Sequence, residues 1–221
     1  AEMAAGFRYL WTWPGLLMIA VMATVVNLVL VPTSSLQPIL VTEHFKGQAF
    51  HLAWLESAWG FGVVAGGLTL SAWGGFKRRV LTSLVGLFVL GASVAALGLV
   101  PAQGFWMAVG LMFVVGFSNP MVDGPLFAVM QAVVKPEMQG RVFTLISSMA
   151  GAMSPLGLIV AGPLADAFGV RVWFVVGGVV TALLGVGAFL VPAIVRIEGD
   201  GAVAANQSPG LGGAQVESCG D

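Results

Sequence analysis

Between Arg79 and Asp123 the chain reads VLTSLVGLFVLGASVAALGLVPAQGFWMAVGLMFVVGFSNPMV (residues 80–122), 43 residues without a charged side chain. A helix needs about 20 apolar residues to cross a bilayer, and a strand about 10 in strict alternation. This stretch does not alternate, is too long for one helix, and holds the turn signal Pro101-Ala102-Gln103-Gly104 near its middle. It reads as a hairpin of two spanning helices. Outward from it, charge-free gaps recur from Arg8 to Glu43, Glu56 to Lys77, Arg141 to Asp166 and Arg171 to Arg196. The sequence thus predicts an all-α integral membrane protein with six helices, at 10–40, 51–73, 80–100, 104–134, 141–165 and 171–195. The first is overlong and carries Pro32 and Pro38, which predicts a kink or unwinding at its second end.

Composition excludes the main alternatives. Of 221 residues, 58% are hydrophobic and 9% charged, with a mean hydropathy of +0.96. Soluble domains carry roughly 25% charge, so this chain lacks the polar surface to cover itself in water. Nine Lys and Arg against ten Asp and Glu leave no basic field for nucleic acid. The single cysteine, Cys219, excludes a disulfide framework and a cysteine-ligated zinc site. The first span is too long for a cleaved signal peptide and precedes no small-residue cleavage site.

Six spans put both termini on one side. That side holds Arg8, Lys77, Arg78, Arg79, Lys135, Arg141 and Arg196, and the other only Lys46 and Arg171. By the positive-inside rule both termini are expected in the cytoplasm. Trp11, Trp13, Trp54, Trp73, Trp106 and Trp173 fall near predicted helix ends, where indoles favour the interface. Residues 1–9 read as a cytoplasmic segment, 10–196 as the bundle, and 197–221 as a disordered cytoplasmic tail rich in Gly and Ala. The chain begins with Ala, so sequence missing ahead of residue 1 is expected, with 1–9 the remnant of a linker.

A motif recurs. Gly67-Leu68-Thr69-Leu70-Ser71-Ala72-Trp73-Gly74 and Gly162-Pro163-Leu164-Ala165-Asp166-Ala167-Phe168-Gly169 both fit Gly-x-x-x-[Ser/Asp]-Ala-aromatic-Gly, 95 residues apart. Three helices per copy place the copies on opposite sides of the membrane, as an inverted-topology repeat requires. Chance matching of Gly-rich helix ends is the alternative in a sequence with 31 Gly.

Gly66 through Arg79, with Gly74, Gly75, Phe76, Lys77, Arg78 and Arg79 at its end, resembles the cytoplasmic loop between helices eight and nine of the major facilitator superfamily. Asn119-Pro120-Met121-Val122-Asp123-Gly124-Pro125, Pro136-Glu137-Met138-Gln139-Gly140-Arg141-Val142-Phe143 and Ala161-Gly162-Pro163-Leu164-Ala165-Asp166 resemble its macrolide-efflux and enterobactin-exporter branch. The resemblance covers residues 8 to about 196 and implies the C-terminal six-helix half of a twelve-helix fold. It also implies proton antiport, export of a lipophilic drug-like compound or siderophore, and either a matching N-terminal half or a second copy as partner. Ser71 stands where the family usually has Asp, which weakens a charge-relay gating role for this loop. The Lys77-Arg78-Arg79 cluster reads foremost as an orientation signal and headgroup contact.

Ionisable groups inside a membrane are default functional candidates. Asp123 lies about 16 Å from the Val134 end of its helix, at ~1.5 Å per residue. Phe127, Met130 and Gln131 follow at i+4, i+7 and i+8 on the face read for it. An acid beside an aromatic and a thioether suits a proton or a lipophilic cation. Alternatively, Asp123 caps a helix restarting after an Asn119-Pro120 break. Glu56 faces the outer vestibule or pairs with Lys46. Asn27 hydrogen-bonds substrate or glues helices. Gln37, beyond Pro32, faces the cavity. No metal or cofactor is expected: His44 and His51 form no i, i+4 pair, and no phosphate loop or serine-hydrolase turn appears. A channel would show a re-entrant filter or a ring-forming charge pattern, and neither is present. A half-length subunit that transports nothing alone stays open.

Overall fold

The computed structural model describes residues 14–76, 79–134 and 136–189. The expectations for residues 1–9 and 197–221, for Trp11, Trp13, Lys77, Arg78, Lys135 and Arg196, and for Cys219, lie outside the described residues. Six helices follow in order: α1 (Pro14–Ile39), α2 (Ala49–Trp73), α3 (Arg79–Leu99), α4 (Phe105–Val133), α5 (Pro136–Phe168) and α6 (Val170–Phe189). Five are long and apolar enough to cross a membrane. The sixth, α2, has 25 residues, but Glu56, three Trp and four Gly hold its hydropathy lower.

Of the kink or unwinding expected at the second end of α1, unwinding does not occur: the helix runs through Pro32 and Pro38 and passes into a π-helical turn at Leu40–His44. Proline costs the bond to the carbonyl four residues back, and a bundle tolerates this when neighbours cover the freed group. Pro32 frees the Leu28 carbonyl, against which Gly157 of α5 packs so closely that a Cβ there would overlap it. α4 likewise runs unbroken through Pro120 and Pro125, so there is no helix restart for Asp123 to cap. Pro136 begins α5 five residues before the predicted start; proline suits a first turn, where no amide partner is needed.

The packing follows the repeat. α1 lies on α5 and α6, α4 lies on α2 and α3, and α3 lies on α6. Exchanging each helix for the one three places along maps these pairs onto one another, though α3–α4 is far more extensive than its counterpart α1–α6, and a lesser α5–α6 contact has no counterpart of similar extent. Gly62 and Gly157, also 95 residues apart, sit on the two equivalent seams. Gly62 brings α2 against the Phe113 carbonyl of α4, as Gly157 brings α5 against α1. The two motifs end alike as well. Gly74 (φ 76°) and Gly169 (φ 86°) take the left-handed conformation, their amides bonded to Leu70 O and Ala165 O at 2.8 and 2.9 Å.

Two apolar cores lie toward opposite ends. One gathers Leu36, Leu40, Leu55, Leu97, Met112 and Phe174, the other Ile19, Leu84, Val129, Met130, Val142 and Leu145. At the first end an aromatic chain joins the connections. Phe45 meets Phe105 at 5.9 Å, Phe105 meets His51 at 4.9 Å and Trp106 at 5.7 Å, and Trp106 meets Trp54 at 5.7 Å. Trp54, Trp73 and Trp106 are exposed, as interfacial indoles should be. Trp173 is not: it is buried, and its Nε1 donates to Val29 O at 3.2 Å, tying α6 to α1.

Candidate functional site

Two cavities open where the cores give way, and both are walled by α1 and α4. The first, about 190 Å³, is closed by α5 and lined by Asn27, Asp123, Phe127, Met130, Phe143 and Ser147, among others. It gathers four of the seven candidate binding residues. Three come from one α4 face at i, i+4 and i+7, and Asn27 from the α1 face opposite. Phe127 packs on Phe143 at 5.8 Å. The Asn27 amide donates to Ala23 O at 2.9 Å, within its own helix. Among the described residues the Asp123 carboxylate has no hydrogen-bond partner. Gln131 is not in this cavity: i+8 turns it about 80° from Asp123, its side chain is exposed, and its carbonyl accepts from Gln139 Nε2 at 2.9 Å.

The second cavity, about 310 Å³, is closed by α2, α3 and α6 and brings together Gln37 and Glu56. Gln37 is 5% exposed, and its Nε2 donates to Glu56 Oε1 at 3.1 Å. Glu56 is therefore held by Gln37, not by Lys46. Thr33, Ser34, Trp59 and Asn119 share the lining, with Leu90, Met112 and Phe174 on the apolar side. Nothing in sequence spacing linked Gln37 to Glu56, and Phe143 and Ser147 carried no charge to mark them.

The loop residues take more ordinary places. Ser71 donates to Gly67 O at 2.8 Å, inside its own motif. Arg79 opens α3, Gly75 (φ 76°) continues the turn, and Asp166 is exposed at the end of α5 beside Gly162. Phe76 N donates to Thr82 Oγ1 at 2.9 Å, closing this turn onto α3.

Apolar helices of membrane-crossing length, paired by an inverted repeat around polar-lined cavities, define a multi-pass membrane protein built as a helical transporter bundle is built. The sequence profile of the Major Facilitator Superfamily matches residues 12–210. The chain belongs to that superfamily. It is 33% identical over 177 residues to Macrolide efflux protein A of Streptococcus pyogenes, covering 80% of this chain and 44% of that protein. Against Macrolide efflux protein A of Enterococcus faecalis it is 32% identical over 157 residues, 71% of this chain and 49% of the relative. Multidrug efflux pump Tap of Mycolicibacterium fortuitum is 29% identical over 204 residues, 90% of this chain and 48% of Tap. The chain spans about half the length of these relatives and matches their C-terminal part.

Proposed function

We propose that this chain is the C-terminal bundle of a secondary active exporter that moves a lipophilic drug-like compound or a siderophore by alternating access. The observation that carries the reading is the cavity that sets Asp123 beside Phe127, Met130 and Asn27, well inside α4 and between helices of both repeats. A carboxyl group in apolar surroundings responds to what occupies its site, so one group can serve a proton and a lipophilic cation in turn. That exchange is antiport. The names of the relatives, macrolide efflux and multidrug efflux, support export as the direction. A matching N-terminal six-helix half, or a second copy, completes the path; the two bundles rock about the midplane and expose the cavity to each side alternately. The excess of Lys and Arg on one side supports cytoplasmic termini in a bacterial inner membrane.

The test is efflux of a fluorescent lipophilic cation from cells expressing this chain, alone and with a matching N-terminal half. Export that needs both halves and is lost in Asp123→Asn supports the reading. Export by the chain alone points to a second copy as partner. No export from either, with both halves in the membrane, overturns it and leaves a bundle that transports nothing by itself.

A further inference from the structure

The repeat pairs the α3–α4 seam with the α1–α6 seam, and the two are closed differently. Along α3–α4, Gly86 sets a close approach to Met121, and Ser83 Oγ donates to Val122 O at 2.9 Å. Along α1–α6 the closed part is the deeper one, where Gly177 packs against Val29 and Trp173 Nε1 donates to Val29 O at 3.2 Å. From Val25 and Val180 outward to Leu17 and Ala188 the helices part and leave a groove of about 500 Å³. Every described residue lining it is apolar. Its mouth lies where the bundle begins and ends, since Leu17 is three residues into α1 and Ala188 is one residue from the end of α6. From there it runs about 12 Å along the helices, at ~1.5 Å per residue. One leaflet contributes half of a hydrocarbon core roughly 30 Å thick, so the groove starts near the membrane surface and stops short of the midplane. It also lies on the other side of α1 from the Asp123 cavity, which Ile19, Ala23 and Asn27 line.

We propose that this groove is a binding site for one acyl chain of a membrane phospholipid, which enters at the headgroup level and ends against the Val29–Gly177 contact. A slot open at one end and blocked at the other fits a chain that begins at the surface and stops inside the bilayer. It does not fit a helix of a second copy, which is about 10–12 Å across with its side chains and crosses the full thickness. Between lipid and protein there is no hydrophobic gain from leaving water, so close packing holds the chain. The groove supplies that packing on two sides. Met18 and Met22 adapt to a flexible guest. Gly187 leaves the α6 backbone bare, and a Cβ there would meet nothing within 4 Å. The bound chain thus occupies, along α1–α6, space that the protein itself closes along α3–α4. It backs α1 on the side away from Asn27. The inference rests on the shape of the groove and not on export.

The experiment is native mass spectrometry of the full chain, stripped of lipid in detergent and titrated with dioleoylphosphatidylglycerol. A second titration uses dihexanoylphosphatidylglycerol, which carries the same headgroup on short chains. The dioleoyl lipid is retained, one per protein chain, and the dihexanoyl lipid is not. Gly187→Leu, which fills the groove without meeting another atom, lowers the retained fraction about fivefold or more. Gly110→Leu makes the same change at an exposed position of α4 outside the groove and leaves retention within about twofold. Added dioleoyl lipid raises the unfolding temperature of the parent and of Gly110→Leu, but not of Gly187→Leu. Equal retention of the dihexanoyl lipid would mean that the headgroup is what binds. Equal retention by Gly187→Leu would place the lipid elsewhere, and a dimer that Gly187→Leu dissolves would make a second copy the occupant. Each of these overturns the proposal. If Gly187→Leu fails to accumulate as folded protein, Val21→Phe, from the opposite wall, takes its place in the same titrations.

Discussion

The two cavities share α1 and α4 and each holds one carboxylic acid, yet they are built in opposite ways. Glu56 is met by a buried amide from another helix. Asp123 faces an asparagine whose amide is committed to its own backbone. The seams that close them differ too. On the Glu56 side, Gly62, Gly66 and Gly116 bring the α2 and α4 backbones into contact; on the Asp123 side, among the described residues, Gly157 does so between α5 and α1. A prepared pair behind a close backbone seam has a fixed geometry. A lone acid behind a looser seam can change its state. The comparison teaches that one repeat can yield two sites of different character by varying a few residues.

The largest expected effect would break the comparison at Asp123: Asp123→Asn reduces efflux of a fluorescent lipophilic cation to the background of empty cells, with membrane abundance unchanged. Next, Gly62→Val drives a side chain into the Phe113 carbonyl. Its cost lies at or above the top of the roughly 1–3 kcal/mol usual for overpacking, and little folded protein is recovered from membranes. Gly157→Val meets one backbone oxygen and the Pro32 ring, so more of it survives; equal loss in both would erase the distinction between the seams. Smaller again, Glu56→Leu leaves the buried Gln37 amide without its acceptor and lowers thermal stability in detergent by about 1–3 kcal/mol. Asp123→Leu removes an acid without a partner among the described residues and leaves the unfolding temperature unchanged or raised. The smallest effect is a coupling of about 1 kcal/mol between Gln37→Leu and Glu56→Leu in a double-mutant cycle; additivity there would mean the hydrogen bond contributes nothing.

Much of this was legible in the residues. Charge-free gaps placed the helices because a bilayer forbids what a soluble core tolerates, and the start of α2 and both ends of α3 and α4 fell within two residues of the reading. Two errors came from proline. Asn119-Pro120 signals a break in isolation, but α4 forfeits the bonds at Pro120 and Pro125 and continues, held by glycine seams no local rule contains. Pro136 signals a loop until it is placed at a first turn. The periodicity that aligned Asp123, Phe127 and Met130 also shows why Gln131 drops out. The Gln37–Glu56 bond crosses between helices and could not be read from spacing, nor could the burial of Trp173, which its place near a predicted helix end assigned to the interface.

The π turn at Leu40–His44 has one more consequence. It packs one residue more into its turn than an α-helix would, and its last residue is pinned, His44 Nε2 donating to Val100 O at 2.9 Å. If the extra residue were released and the turn tightened, the far end could not follow. The adjustment would travel the other way, as a rotation of about 100° for each residue of register, and Gln37, three residues from the turn, would swing first. The site that holds the carboxylate is thus mounted on the shaft of a small crank whose handle is already bolted down.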